Sequence, residues 1–240
     1  MTKNLVQSLE NDLTPELCAT IAARLDEEPV AVRKALHTVL PLLVGNLARH
    51  VTEMARIDHL YALIWSSNID DSDVEILIDK LCSGDGYSWV VEGQRRALSL
   101  LGARVPTIAS AESTIAHLRP QSARELVGLA MMLVLSELKR ELVARQLDED
   151  GLTYLLMSQK PVLHGQIDPT LATALGYRDP DALLAGIASV PEADTLRPSW
   201  FSSLIASIRG SYESGKDADD PKEPQAPRRV DDRGRPAPWH

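Results

Sequence analysis

Two runs in this chain, ALHTVLPLLVGNLARHV at residues 35–51 and LVGLAMMLVLSELKREL at residues 126–142, place apolar residues on nearly every side of a helix. In the first these are Leu36, Val39, Leu40, Leu43, Val44 and Leu47; in the second, Leu126, Leu129, Met131, Met132, Leu133 and Leu135. A helix without a polar face has to be surrounded. The longest uncharged stretches, residues 35–48 and 126–136, fall short of the ~20 apolar residues a membrane span needs. Both runs are therefore expected to be core helices of a soluble protein. With aromatics at 4% and a single Phe, the core has to be aliphatic, which favours helix packing over sheets rich in aromatic and β-branched side chains.

The punctuation between the runs is helical as well. Thr14 followed by Pro15 fits an N-cap with proline in the first turn. SDVE at residues 72–75 and SARE at residues 122–125 fit capping boxes, and Asp168 and Asp179 each offer an Asp cap before a proline. SGDG at residues 83–86, Gly102 and Gly176 read as stops. YSWVV at residues 87–91 is expected to open the helix that runs through EGQRRALSLL. Pro41 marks either the end of a short helix begun near Pro29 or a kink in one longer helix. The fold class is all-α: a compact multihelical bundle.

An internal repeat accounts for the paired runs. Residues 41–49 lie over residues 132–140, 91 positions on, matching Leu42 to Leu133, Leu47 to Leu138, Arg49 to Arg140 and small Gly45 to small Ser136. Pro29 falls on Pro120 and Arg33 on Arg124. With a small shift, TIA at residues 20–22 meets TIA at residues 114–116, and DHLYALI at 58–64 meets DGLTYLL at 150–156. The shared order and period point to duplication. The expected solution packs the first run on its own duplicate, Gly45 and Ser136 allowing close approach. The expected segments are a lead-in (1–13), a first repeat with connecting helices (14–105), a second repeat (106–176), C-terminal helices (177–210) and a disordered tail (211–240).

The order LPLLVGNLAR, SGDGYSWVVEGQRRALSLLGARVPTIAS and LDEDGLTYLLMSQKPVL resembles the YidB-like bacterial family, domain of unknown function 937, over roughly residues 14–176. That resemblance implies a compact multihelical bacterial protein and brings no catalytic residues with it. The family often carries a second proline where Met132 stands, so the second long helix is expected to be straighter.

Reactive constellations are not apparent. The histidines, His37, His50, His59, His117, His164 and His240, form no i, i+3 or i+4 pair and no metal-binding motif. His50 and Glu53 share a helix face, but a solvated polar face explains them. NIDDSDVE at residues 68–75 lacks the glycine and closing glutamate of a calcium loop and reads as a charged helix start. SGDG lacks the lysine and preceding strand of a phosphate loop, and no serine-nucleophile motif occurs. Arg95, Arg96 and Arg104 read as a solvated basic spot. A net charge of −9 disfavours nucleic acid. Cys18 and Cys82, far apart, read as two buried thiols in a reducing cytoplasm.

Two C-terminal stretches differ in kind. Trp200, Leu204 and Ile208 form an apolar stripe at i, i+4, i+8, best used in core packing. Beyond Gly210 the chain is polar and Pro-rich and ends in RGRPAPWH. There Arg233, Arg235, Pro236, Pro238 and Trp239 form a candidate docking handle, an aromatic anchor on an extended stretch. The expected role is a non-catalytic protein-interaction or assembly module of the bacterial cytoplasm. It would use another protein or itself as partner, with no membrane contact and no cofactor or metal. The alternatives are an enzyme or ligand-binding protein whose site is assembled from distant residues, with His50 and Glu53 as its candidate centre, and a helix-turn-helix nucleic-acid binder.

Overall fold

The computed structural model describes residues 3–53, 57–66, 74–83 and 86–189, and every regular element among them is helical. In chain order these are α1 (Leu5–Asp12), α2 (Pro15–Leu25), α3 (Pro29–Glu53), α4 (Ile57–Ile64), α5 (Val74–Cys82) and α6 (Gly86–Leu101). A 3-10 turn (Gly102–Arg104) leads into α7 (Val105–Ala116) and α8 (Pro120–Arg145), followed by α9 (Glu149–Met157), α10 (Lys160–Leu163), α11 (Pro169–Ala174) and α12 (Pro180–Ala185). The expected all-α bundle is thus observed.

The caps follow the sequence closely. The Thr14 hydroxyl accepts from the Leu17 N–H at 3.1 Å. Asp168 accepts from the N–H groups of Thr170 and Leu171, and Asp179 from that of Ala182. Such caps each contribute ~1 kcal/mol. Gly176 ends α11 with φ +88°, a left-handed turn that glycine adopts without strain.

SARE departs from its expected reading. Helix α8 opens at Pro120, with Arg119 as its N-cap, so Ser122 already lies inside the helix. Its hydroxyl is buried and donates to the Leu25 carbonyl at 3.3 Å. The capping comes instead from another helix pair: Glu27 accepts from the Arg119 backbone N–H at 3.0 Å and from its Nε at 3.0 Å. A distant carboxylate thus does for the N-cap N–H what the glutamate of a capping box would do. The SDVE cap falls on residues 72–75, whose side chains lie outside the described part.

Pro41 lies inside α3, which continues unbroken from Pro29 to Glu53. A proline removes one hydrogen bond and costs about 3 kcal/mol in a helix interior. Packing offsets this, because α3 is enclosed by α1, α2, α7, α8, α9 and the short C-terminal helices. Leu36, Val39, Leu40, Leu42, Leu43, Val44 and Leu47 are all fully buried. One candidate for a membrane span exists among the described residues, Pro29–Thr52, by length and hydropathy alone; in the bundle it is the core helix.

Helices α3 and α8 pack on each other as expected, but Gly45 is not their point of approach. A Cβ there would meet Leu183 at 3.1 Å, Ile167 at 3.2 Å and Leu163 at 3.5 Å, so Gly45 faces the C-terminal helices. The tight crossing is between α6 and α8. A Cβ on Gly93 would stand 2.5 Å from the Gly128 carbonyl oxygen, and one on Gly128 2.7 Å from the Gln94 nitrogen. These are backbone atoms, which cannot swing away.

The N-terminal lead-in is itself an ordered helix. Gln159, fully buried, accepts from the Leu5 N–H at 2.9 Å and donates to the Lys3 carbonyl at 2.9 Å. Lys3 pairs with Glu137 at 2.8 Å and Glu141 at 2.7 Å on α8, and Arg140 joins Asp12 at 2.7 Å and Glu137 at 2.8 Å. Charges that α8 carries within its buried length are thereby matched by Lys3, just before α1, and by Asp12 at its end.

The glycine geometry separates two substitutions that look alike in sequence. Gly93→Ala forces two backbones apart and is expected to destabilise by about 2–3 kcal/mol or more. Gly45→Ala meets only side-chain tips, and the helix-propensity gain of about 1 kcal/mol leaves it near neutral. Urea denaturation of the two variants checks this; equal losses would contradict the assignment of the close crossing.

Candidate functional site

Helix α6 is pressed into the bundle through Trp89, Val90, Gly93, Ala97 and Leu100. Its opposite face leaves large apolar side chains in solvent: Tyr87 is 72% exposed, Val91 43% and Leu98 52%. They fall at i, i+4 and i+11, one line along the helix, with Arg95 between Val91 and Leu98. Single exposed apolar residues are ordinary, but a line of three on one helix is a surface that another apolar element can use.

Beside the N-terminal end of that line lies an open groove of about 730 Å³. Ala19, Thr20, Ala23 and Arg24 of α2 form one wall; Leu81 and Cys82 of α5 and Tyr87 and Val90 of α6 form the other, with Glu125 of α8 at the edge. Local chemistry holds the walls together. Arg24 donates through Nη1 to the Leu81 carbonyl at 3.3 Å, and Gly86 lets the chain turn there, since a Cβ would lie 2.6 Å from that same oxygen. Cys82 is exposed and free, which corrects the expectation of two buried thiols; Cys18 is buried and free as expected. Burial pushes the Cys18 thiol up, with Arg33 acting weakly the other way.

The residues that sequence reading considered for chemistry are dispersed. His37 lies 3.2 Å from Glu10, His59 3.1 Å from Ser99, and His164 3.8 Å from Asp181, while His117 ends α7 in a left-handed conformation. Among the described residues no group of three or more His, Cys, Asp or Glu side chains converges as a metal site would require. The side chain of Glu53, residues 68–73 and His240 lie outside the described part, as do the docking-handle residues Arg233, Arg235, Pro236, Pro238 and Trp239 and the Trp200, Leu204, Ile208 stripe.

Arg96 is not part of a solvated basic spot. It is buried, donates through Nε to Glu92 at 2.7 Å and through Nη1 to the Leu63 carbonyl at 2.8 Å, so it ties α6 to α4. Arg95 pairs with the same Glu92, and Arg104 sits 5.8 Å from the Tyr177 ring centroid. Arg95 and Arg96 thus share Glu92, and Arg104 stands apart from them beside Tyr177.

One titratable group escaped the sequence reading. Glu112 on α7 is fully buried; its Oε1 accepts from the Thr38 hydroxyl of α3 at 2.7 Å, and its Oε2 has no hydrogen-bond partner among the described residues. Burial pushes its carboxyl up to about 7, with Asp168 adding to the rise and Thr38 and Lys34 opposing it. Its position was readable: Val105, Ile108, Ala109, Glu112 and Ala116 form one buried stripe, and a carboxyl within such a stripe is forced into the core.

These features define a helical protein with an exposed apolar helix face and an adjoining groove. The chain belongs to a family of bacterial proteins of unknown function, domain of unknown function 937, whose model matches residues 7–141. That span runs from α1 into the second half of α8 and so contains the groove. Comparison with curated proteins and with solved structures finds no significant match in either.

Glu112 makes the stability of the fold depend on pH. The unfolded carboxyl ionises near its ordinary value of 4.5, whereas the folded one keeps its proton to about 7. The folded state therefore binds more protons in between, and stability is lost as pH rises through that window, by roughly 3 kcal/mol in all. Glu112→Gln removes this titration and is expected to flatten the fall. Urea unfolding from pH 4.5 to 7.5 measures it; an equal fall in wild type and variant would place the titration elsewhere.

Proposed function

We propose that this chain is a non-catalytic interaction module of the bacterial cytoplasm, YidB-like in its organisation, whose contact surface is the outer face of α6 with the adjoining groove. The observation that carries the reading is the line Tyr87, Val91 and Leu98, exposed on a helix whose inner face is locked against α8. A rigid helix with an apolar outer line suits a partner helix or segment that lays its own apolar face along it. The engagement of Arg95 and Arg96 by Glu92 supports a protein partner over nucleic acid, because it leaves no basic stripe on this helix. The tail that carries Trp239 serves in this reading as a second handle.

An internal duplication fits the same reading. The left-handed residues Asp26 and His117 and the helix-opening prolines Pro29 and Pro120 all stand 91 positions apart. In both halves a helix, a left-handed residue and a long helix begun by proline follow in order. The halves then differ in what covers them, and the α6 face belongs to the stretch between them.

The test joins Val91→Glu with Leu98→Glu and uses Val30→Glu, at a residue 80% exposed on α3, as control. All three changes are on the surface and are expected to alter stability by no more than about 0.5 kcal/mol each. Affinity capture from host lysate with the full chain is expected to retain the same partner on wild type and control, and about tenfold less of it on the α6 variant. Undiminished capture by the α6 variant overturns this assignment of the contact surface.

A further inference from the structure

We propose that Glu112 is a catch for the C-terminal helices: while its buried carboxyl holds a proton, α11 and α12 stay seated on α7 and α3, and loss of that proton lets them lift away. The inference is independent of the α6 contact surface. Glu112 is fully buried on α7, with Oε1 2.7 Å from the Thr38 hydroxyl of α3 and Oε2 without a hydrogen-bond partner among the described residues. That hydroxyl has one proton to give, and the Lys34 and Ala35 carbonyls of its own helix lie within reach at 3.1 and 3.0 Å. A protonated Glu112 donates to Thr38, which turns its own proton to those carbonyls. An ionised Glu112 has one neutral donor for two charged oxygens, a state that burial makes costly.

The surrounding charges do not relieve that cost. Asp168, the N-cap of α11, is fixed by the Thr170 and Leu171 N–H groups at 2.7 and 3.3 Å, and its charge acts on Glu112. Lys34 of α3 opposes it, but its ammonium is exposed and donates to the Ile115 carbonyl at 2.6 Å. Among the described residues, α6, α8 and the 3-10 turn, which also pack on α7, bring no charged group to bear on Glu112.

The element that yields is set by the packing. Helices α3, α7 and α8 hold one another, whereas α11 and α12 have six residues each and rest on α7 and α3. Short peripheral elements open at a lower free energy than the whole fold. Lifting α11 takes the Asp168 charge away and admits water to Glu112, so one movement relieves both strains. Opposing it, Arg49 of α3 donates to the Ala182 and Leu183 carbonyls, and Leu183 packs over Gly45. Release therefore uncovers the apolar Gly45 face of the core helix. The closed state binds the proton more tightly than the open one. Below the ordinary carboxyl value of 4.5 both are protonated and pH has no effect; opening then rises with pH and levels off above about 7. Between pH 5.5 and 7.5 the open fraction grows about 20-fold on these values.

Amide hydrogen exchange of the full chain, referred at each pH to the rate of an unprotected amide, tests the catch. Ala172, Leu175 and Tyr177 report on α11, since their N–H groups donate to the Asp168, Leu171 and Ala172 carbonyls, and the amides of α8 report on global opening. In wild type, protection of the α11 amides is expected to fall about 20-fold from pH 5.5 to 7.5, with no dependence on low concentrations of urea. Glu112→Gln, whose amide donates as the protonated carboxyl does, is expected to change by no more than about twofold. An equal fall in wild type and Glu112→Gln overturns the catch. So does a fall in which the α11 and α8 amides share one urea dependence, because the whole bundle then opens. Should Glu112→Gln not fold, Asp168→Asn takes its place, since asparagine keeps the cap without the charge. Its fall is expected to be smaller than that of wild type, and an undiminished fall overturns the role given to α11.

Discussion

A helix with no polar side cannot be accommodated at the surface of anything, and this chain has two of them. Most other elements are arranged to cover α3 and α8, while α5 packs on α2 and α6. The first is wrapped by α1, α2, α7, α9 and the short C-terminal helices, and the second by α6, α7 and α1. Burial of so many aliphatic side chains, each contributing about 1.5–3 kcal/mol when fully covered, explains how a proline survives in the middle of α3. It also explains how α8 tolerates Glu137 and Glu141 within a buried helix: Lys3 and Arg145 reach Glu141, and Lys3 and Arg140 reach Glu137. The apolar helices set the architecture, and the ion pairs follow as a condition of closing it.

Much of this was legible. Periodicity identified the long helices, and cap chemistry at Thr14, Asp168 and Asp179 marked three helix starts correctly because those interactions are local. The failures share a cause. Ser122 carries the right spacing for a local cap, but it lies inside α8 and donates to the Leu25 carbonyl, while Glu27 holds the Arg119 N–H. Gly45 has the small side chain expected at a close crossing, but its direction around α3 is set by which helices surround it. The crossing itself uses Gly93 and Gly128, whose partnership is a property of tertiary packing alone. Cys82, apolar by type and expected inside, ends up at the mouth of the groove.

The candidate surface was the least legible part. Tyr87, Val91 and Leu98 look like core positions in sequence, and nothing local distinguishes them from Val90, Ala97 and Leu101, which are buried. A helix with apolar residues on both sides, one face taken by α8, is recognised only when the bundle is complete and one face remains uncovered. Glu112 is the opposite case. Its placement within a buried stripe was present in the sequence, but glutamate is so commonly solvated that the stripe has to be traced before the anomaly appears.

The docking of α1 has a consequence for synthesis. Its N-terminal turn is satisfied by Gln159, 154 positions later, and its lysine by Glu137 and Glu141. At ribosomal speeds of about 5–20 residues per second, α1 is made on the order of ten seconds before Gln159 exists. Throughout that interval α1 can pack on α3, made soon after it, but the Leu5 N–H and the Lys3 carbonyl await the Gln159 side chain. Gln159 therefore acts as a late latch on a helix made long before it.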